Sequence, residues 1–242
     1  MSDKTKKDVQ NLKSTLEEND LQHFENEGLA NLLPKIFSFF PSNVKGIKIL
    51  DVGCGPCVIA GIVKLRFDAD VYGVDCDSTF VDQAKTKGIK VYGCDLESGS
   101  FPFADGSFDY VLFIEVLEHL AKPENCLKEI ARVLKPNGIL ILSTPNLTSL
   151  QNRISLFRGK DPLNGNPIDR PYDRHIRLYA LNSATQLLSS WFKITRIAYL
   201  NPHSRKTSKG IGRDFLCYLK KDMSNTMILA CQTTNKKSNA SS

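Results

Sequence analysis

Short β-branched segments alternate with helical stretches from residue 47 to residue 143, and this alternation restricts the fold more than any other feature. Such a pattern is typical of parallel βαβ units with helices on both faces of one sheet. Strands that are apolar throughout, such as 139–142, indicate burial on both faces. We therefore predict an α/β fold with a doubly wound, mostly parallel seven-stranded sheet. The predicted strands are 47–52, 71–74, 89–92, 108–114, 139–143, 192–200 and 227–231.

Helical periodicity and turn residues predict the rest of the organisation. Apolar spacing predicts a helix over 21–40, with breaks near Gly28 and Pro34. Further helices are predicted over 58–67, from Asp77 or Ser78 to Gly88, over 125–134 and over 180–190. The chain then divides into an N-terminal helical cap (1–45), one large domain (46–232) with an insertion at about 145–178 that does not pack as a regular element, and a flexible tail (233–242).

Composition excludes several classes of protein. Of the 242 residues, 41% are hydrophobic, which is enough for a globular core. No apolar run reaches the length of a membrane span, and the polar N-terminus lacks the apolar segment of a secretory signal. The seven cysteines are then expected to be reduced thiols in a cytoplasmic protein.

A glycine-rich loop follows the first predicted strand, in the run Asp51-Val52-Gly53-Cys54-Gly55. Glycines at a strand–helix junction let the backbone turn tightly and approach a ligand. Asp75 ends the next strand, where a carboxylate can accept both hydroxyls of a ribose. The pair predicts a cofactor that carries a nucleoside.

The residues around this loop favour a cationic cofactor over a dinucleotide. Val58 stands where the dinucleotide pattern has a small residue, and its bulk would obstruct helix–strand packing. Asp51 would repel a pyrophosphate, whereas it would attract a cation. S-adenosylmethionine has an ammonium and a sulfonium group and no phosphate, so it fits these charges best.

Residues 47–145 resemble class I S-adenosylmethionine-dependent methyltransferases, and are similar to the ubiquinone-pathway and MetW-like groups. The matching motifs occur in order: ILDVGCG, VYGVD, Asp95-Leu96, the segment LESGSFPFADGSFDYVLFIEVLEHL and RVLKPNGILILSTPN. The resemblance implies that the methionine end of the cofactor lies by the glycine loop, the ribose by Asp75, and the adenine between Asp95 and Leu96. The implied cofactor-binding residues are Asp51, Gly53, Cys54, Gly55, Asp75, Cys76, Asp95, Leu96 and Ile114.

One residue departs from the family pattern, because Cys57 stands where the family usually has glycine. The substitution creates a C-x-x-C sequence with Cys54, as in thioredoxins. We interpret this match as coincidental, since the residue before Cys54 is Gly53 rather than the thioredoxin tryptophan. A zinc site would need a second C-x-x-C, which the sequence lacks.

Acidic residues and a histidine follow the fourth strand, where ligands bind in doubly wound sheets. His119 is a candidate general base, with Glu115 as a second candidate catalytic residue. Glu118 is equally consistent with a solvated helix start. A minority hypothesis is a divalent metal held by Glu115, Glu118, His119 and the distant His175, because the resemblance extends to metal-dependent RNA 2′-O-methyltransferases.

Three functions therefore remain open at the level of sequence. The leading one is O-methylation of a small or carrier-linked acceptor; the others are metal-assisted RNA 2′-O-methylation and a non-catalytic cofactor-binding module. Candidate acceptor contacts are Asn146, Arg153, Arg158, Tyr172, Arg174, His175 and Tyr179. Residues 151–221 contain fourteen Lys and Arg against four Asp, a local charge of +10 in a chain of net charge +6. This excess favours an anionic acceptor or surface. Oligomeric state is not indicated.

Overall fold

The computed structural model describes residues 29–42, 44–80, 84, 88–162, 175–200 and 223–234. The strands are β1 (Lys48–Val52), β2 (Asp70–Asp75), β3 (Lys90–Gly93), β4 (Phe108–Ile114), β5 (Leu134–Pro145), β6 (Phe192–Leu200) and β7 (Thr226–Thr233). The helices are α1 (Leu29–Phe37), α2 (Val58–Phe67), α3 (Pro123–Val133), α4 (Leu150–Phe157) and α5 (Leu181–Leu188), with a 3-10 turn at Leu117–His119.

The seven strands form one sheet in the order β3-β2-β1-β4-β5-β7-β6. Strands β1 to β5 pair in parallel, whereas β7 runs antiparallel to both of its neighbours. The order reverses between β1 and β4, which is the point where doubly wound sheets open a ligand crevice at the carboxyl ends of the strands. The predicted fold class is confirmed.

Apolar clusters cover both faces of the sheet, which is why the central part of β5, residues 139–142, is apolar at every position. One cluster joins the sheet to α1 and α2, through residues such as Ile36 and Ile62. The other joins it to α3 and α5, through residues such as Leu127 and Leu188. Within the described residues, no helix is long and apolar enough to cross a membrane.

Most predicted elements occur with similar bounds, and α2, β4 and β6 occur with the predicted ones. Asp77 caps the helical residues that follow it, because its Oδ1 accepts a hydrogen bond from the Thr79 amide at 2.8 Å. Part of the predicted helix over 21–40 and the predicted tail lie outside the described residues, as does Gly28.

Three predictions about local structure are wrong. First, α1 continues through Pro34 instead of breaking there. Second, β5 extends over the Pro136-Asn137-Gly138 segment that reads as a turn, because Asn137 adopts a left-handed conformation with φ 66° and pairing with β4 resumes after a register shift. Third, the insertion contains a regular helix, α4, whose Asn152 is buried.

Candidate functional site

The glycine loop lies at the carboxyl end of β1 and packs against the segment after β4. Gly53 and Gly55 have φ values of 70° and 48°, which side chains other than glycine rarely adopt. A Cβ atom on Gly53 would lie 2.6 Å from Cγ2 of Val116. Glycine is therefore required at this position, both for the turn and for the close approach of Val116.

Asp75 connects the loops that follow β1 and β2. Its buried carboxylate accepts hydrogen bonds from the Gly55 amide at 2.8 Å and from the Asp77 amide at 3.0 Å. Each carboxylate oxygen has a second lone pair, so both can still accept a hydroxyl. Cys76, the next residue, is exposed.

Asp51 is the most perturbed carboxyl group of this region. It is 3% exposed, and its pKa is raised to about 7 by burial and by the nearby charge of Asp75. Two carboxylates in one dry pocket favour a cationic ligand, because such a ligand offsets both the burial and the repulsion. This arrangement fits the ammonium and sulfonium groups of S-adenosylmethionine.

Asp95 and Leu96, which the resemblance places beside adenine, follow β3. Leu96 is buried in the core. Asp95 is exposed, and its carboxylate accepts hydrogen bonds from the Ser98 hydroxyl and the Glu97 amide, which lower its pKa. The Cys94 amide donates to the Asp75 carbonyl at 2.9 Å, so the loop that contains Asp95 and Leu96 starts beside Asp75.

Both cysteines of the C-x-x-C sequence are buried. The Cys54 thiol has a raised pKa because it is hydrogen-bonded to Cys57, buried and close to acidic groups. A redox-active thiol needs the opposite shift. Cys57 has φ 60° at the start of α2, a left-handed conformation that accounts for the glycine usual in the family at this position.

Two predicted residues, Ile114 and Glu115, stand at the end of β4 and directly after it. Ile114 is buried, and Glu115 adopts φ 54°. The Ser143 hydroxyl donates a hydrogen bond to Oε1 of Glu115 at 2.6 Å. The Glu115 amide donates to the Ser143 carbonyl at 3.1 Å, so Glu115 is held against the end of β5.

Glu118, His119 and His175 form a cluster, which we call the acid–histidine cluster. One ligand atom from each lies within 4.8 Å of the others. Glu118 is fully buried, His175 is half-buried and His119 is exposed. Oε2 of Glu118 accepts a hydrogen bond from the Thr144 hydroxyl at 3.0 Å, and Oε1 lies 3.9 Å from Nε2 of His175. Glu115, the fourth residue of the predicted metal set, is not part of the cluster.

Main-chain hydrogen bonds bring His175 to the cluster. The amides of Ile176 and Arg177 both donate to the Glu118 carbonyl, at 3.0 and 3.1 Å. The Arg177 guanidinium donates to the Ala121 carbonyl. The His119 and His175 rings then lie with centroids 4.8 Å apart. We call residues 175–177 the docked strap.

The other candidate acceptor residues have different surroundings. Asn146 is buried, and its side chain binds the Ser224 carbonyl and Thr148, so it stabilises the chain after β5. Tyr179 is also buried, whereas Arg153 and Arg158 are exposed on or beside α4. Tyr172 and Arg174 lie outside the described residues.

Sequence reasoning missed Ser143 and Thr144, which hold Glu115 and Glu118 by their hydroxyls. Two consecutive hydroxyl residues at the end of an otherwise apolar strand were the available signal, because β5 ends at the same edge as the acidic residues.

Comparison with known proteins identifies the domain. Residues 50–142 match the family model described as a methyltransferase domain. A ubiquinone biosynthesis O-methyltransferase from Sinorhizobium fredii is 29% identical over 127 residues, which are 51% of this chain and 51% of that protein. An uncharacterized methyltransferase from Schizosaccharomyces pombe is 36% identical over 114 residues, 42% of this chain and 41% of that protein. The chain thus aligns with about half the length of the curated relatives it matches.

Solved structures agree on the fold. An S-adenosylmethionine-dependent methyltransferase from Thermotoga maritima has a TM-score of 0.61 at 17% identity, covering 89% of this chain and 99% of that one. A second, from Mesorhizobium loti, has a TM-score of 0.60 at 17% identity, covering 82% and 96%. The matched residues 50–142 include the glycine loop, Asp75 and Glu118. Residues 50–142 therefore match a methyltransferase domain, and the chain has the fold of solved S-adenosylmethionine-dependent methyltransferases.

Proposed function

We propose that this protein is an enzyme that transfers the methyl group of S-adenosylmethionine to an oxygen atom of a small or carrier-linked, anionic acceptor. The observation that carries the proposal is the contact between the glycine loop and the segment of the acid–histidine cluster. Gly53 has no room for a Cβ because Val116 packs on it, and Leu117–His119 follow directly. A cofactor held by the loop would present its methyl group beside candidate proton acceptors.

The reaction mainly requires the protein to align the acceptor with the methyl group. The sulfonium already activates the methyl group, so an acceptor oxygen attacks the methyl carbon while the carbon–sulfur bond breaks and S-adenosylhomocysteine leaves. An acceptor hydroxyl must also lose its proton. The exposed imidazole of His119 is placed to take it, and Glu118 and His175 position that ring from the buried side.

Two further observations support oxygen as the accepting atom and a negatively charged acceptor. A relative that covers half of this chain is named an O-methyltransferase, which favours oxygen as the acceptor atom. The basic residues of 151–221 lie downstream of the cofactor loops, and several of the described ones are exposed, including Arg153, Arg158 and Arg177. A basic surface beside the site raises the local concentration of anionic acceptors.

The test is transfer of an isotopically labelled methyl group to acceptors in fractionated cell extract. We expect labelled product in the small-molecule or lipid fraction. His119→Ala should lower turnover by about a hundredfold, the scale of general-base catalysis, while cofactor binding stays unchanged. Asp70→Ala, at the exposed start of β2, is the matched control and should keep both. Cofactor binding with no labelled product in any fraction would instead identify a non-catalytic cofactor-binding module.

A second candidate function, metal-assisted methylation of an RNA 2′-hydroxyl, is favoured by the donor set of the acid–histidine cluster. One carboxylate and two imidazoles suit manganese, iron or zinc better than magnesium, which prefers oxygen ligands. A bound divalent ion would polarise the acceptor hydroxyl. Glu118, His119 and His175 would hold it, and the docked strap would fix the position of His175.

Chelation separates the two functions. If the enzyme acts on RNA with a metal, a chelator abolishes labelling of the RNA fraction, and Mn²⁺ restores it in the wild type but not in His175→Ala. If His119 acts as a general base without a metal, the chelator leaves labelling of the small-molecule fraction unchanged. Direct titration of Mn²⁺ by calorimetry, without cofactor or acceptor, gives an independent measurement.

A further inference from the structure

One side of helix α3 is polar, yet it is largely shielded from solvent. Asn125, Glu129 and Arg132 are spaced four and three residues apart, so they lie on one side of the helix. Glu129 is buried, and the other two residues are half-buried. All three side chains form hydrogen bonds with residues 94–107, the loop between β3 and β4, which we call the β3–β4 loop.

Glu129 and Arg132 hold the second half of the β3–β4 loop. The Arg132 guanidinium donates to both carboxylate oxygens of Glu129, at 3.0 and 2.7 Å. The Phe101 amide donates to Oε2 of Glu129 at 2.9 Å. The guanidinium also donates to the carbonyls of Phe101 and Phe103, at 3.0 and 2.7 Å, and forms an ion pair with Asp105. These two side chains therefore satisfy backbone groups that belong to no helix or strand.

Asn125 acts on the first half of the loop, close to Asp95. Its side-chain amide donates to the Gly99 carbonyl at 3.1 Å, and the Gly99 amide donates to the Asp95 carbonyl at 2.8 Å. A Cβ atom on Gly99 would lie 2.6 Å from that carbonyl oxygen, so these two residues are in close contact. A displacement at Asn125 is therefore transmitted to Asp95 through Gly99.

The held loop contains Asp95 and Leu96, the residues that the resemblance places beside adenine. Each carboxylate oxygen of Asp95 accepts one hydrogen bond, from the Ser98 hydroxyl or the Glu97 amide, and has a second lone pair that can accept an amino group. Leu96 is buried in the same apolar cluster as Phe101. Groups that recognise one edge of a ligand must be held within about 0.5 Å of the productive position, which a loop achieves only when its backbone is fixed.

We propose that Asn125, Glu129 and Arg132 are positioning residues, which hold the β3–β4 loop so that Asp95 recognises the amino group of adenine in the cofactor. The inference rests on the proposed use of S-adenosylmethionine and adds residues that act through the loop rather than on the ligand. If these side chains served only for packing, they would contribute to stability and would have no effect on which base is bound.

The test compares two ligands that differ in one group of the base, S-adenosylhomocysteine and S-inosylhomocysteine, by calorimetry on the full-length protein. Inosine has a carbonyl where adenosine has the amino group, so it has no donor for Asp95 at that position. The wild type should prefer S-adenosylhomocysteine by about tenfold or more, the scale of a hydrogen bond to a charged group. Because unfolded protein binds neither ligand, the ratio of the two dissociation constants is independent of stability.

Changes in the polar side of α3 should reduce this preference. Asn125→Ala should lower it by about threefold or more, because it removes the contact nearest to Asp95. Arg132→Gln should lower it by a smaller factor, since Arg132 holds the loop farther from Asp95. Gly99→Ala displaces the Asp95 carbonyl directly and should have an effect as large as that of Asn125→Ala.

Two variants control for effects on the fold. Lys128→Gln changes an exposed residue of α3, and Leu188→Ala lowers stability by removing buried contacts of α5, so both should keep the wild-type preference. A preference that Asn125→Ala and Arg132→Gln both retain would overturn the inference and leave the proposed function unaffected. So would a wild type that binds the two ligands equally. A wild type that binds neither ligand would contradict the proposed function, and the inference with it.

Discussion

Two buried carboxylates at the same edge of the sheet, Asp75 and Glu118, are held in different ways. Asp75 accepts backbone amides from its own loop and from the glycine loop 20 residues earlier. Glu118 accepts a hydroxyl from Thr144, 26 residues later, and its carbonyl binds the docked strap, which comes from still farther along the chain. The first arrangement needs only contacts between neighbouring βα units. The second also needs the docked strap to lie against the segment of Glu118.

Because Asp75 and Glu118 are held differently, they suit different roles. Asp75 and Asp51 lie among fixed backbone groups, which suits a ligand that is the same in every member of the class. The acid–histidine cluster depends on the insertion, the part of the chain that can vary while the sheet stays unchanged. We therefore expect cofactor affinity to respond to changes near β1 and β2, and turnover to respond to changes in the strap.

The largest expected effect is that of Asp75→Ala, because this change removes both the proposed ribose acceptor and the carboxylate that binds the Gly55 amide of the glycine loop. Hydrogen bonds to a charged group contribute about 1.5–3 kcal/mol each, so the loss of two predicts a fall in S-adenosylmethionine affinity of a hundredfold or more. Isothermal calorimetry measures the dissociation constant. Asp70→Ala, at the other end of the same strand, should bind like the wild type. If Asp75→Ala binds normally, the nucleoside assignment of this pocket is wrong.

The pH dependence of binding tests the second carboxylate of the pocket. Burial and Asp75 raise the pKa of Asp51 to about 7, so the group is mostly protonated below that pH. A cationic cofactor favours the ionised form. Affinity should therefore rise by about tenfold per pH unit on approaching pH 7 from below and then level off.

Asp51→Asn is the control, because it is uncharged at every pH. The ratio of the two dissociation constants isolates the titration of Asp51 from that of the cofactor. The same shift affects stability: the folded pKa lies above the unfolded value, so this group favours folding at low pH and loses that contribution as pH rises through about 7. A wild-type-to-variant ratio independent of pH would contradict the assignment.

The fold was predictable, and the residues of the glycine loop and Asp75 could be named, because their signals are local in sequence. Strand β4 is a run of apolar residues bounded by turn residues, and Asp75 ends a strand that a short loop connects to the next helix. Prediction failed where the same residues are compatible with two local structures, a turn or a continuing strand. Pro136-Asn137-Gly138 is typical of a turn, yet β5 continues through it with Asn137 left-handed, because β5 pairs with β4 on both sides of this segment, at Leu134 and from Ile139 onward.

The acid–histidine cluster was predictable only as a set of residue types. The sequence indicated that His175 could meet Glu118, but the hydrogen bonds that bring them together are from main-chain amides of Ile176 and Arg177, which every residue except proline has. No side-chain pattern distinguishes such a contact. The burial of Asn152 on α4 could not be predicted for a similar reason, since its partner, the Asn146 carbonyl, is known only from the folded chain.

Glu97 connects the loop after β3 to the chain that follows the acid–histidine cluster, and its replacement should have a moderate effect on stability. Its two carboxylate oxygens accept hydrogen bonds from the amides of Ala121 and Lys122, at 2.8 and 3.1 Å, and so connect the loop after β3 to the start of α3. Glu97→Ala should lower the free energy of unfolding by about 1–2 kcal/mol, the scale for a helix-capping side chain. Urea unfolding measures it. Glu124→Ala, an exposed acid in the first turn of α3, should change stability by about 0.5 kcal/mol or less. Equal effects from both variants would show that Glu97 acts only as surface charge.

Cys57 offers the smallest and most local test, because its strain is confined to one residue of the glycine loop. At φ 60° a residue with a Cβ is disfavoured by roughly 1–2 kcal/mol, which glycine avoids. Glycine also loses more backbone entropy on folding, by about 0.5–1 kcal/mol. Cys57→Gly should therefore be more stable than Cys57→Ala by up to about 1 kcal/mol, in a comparison that removes the thiol from both. Cys126, buried within α3, reverses the sign: there the glycine variant should be less stable than the alanine variant by about 1 kcal/mol. If glycine is the less stable variant at both positions, the left-handed conformation of Cys57 is not a source of strain, and its presence in the cofactor loop has no energetic consequence.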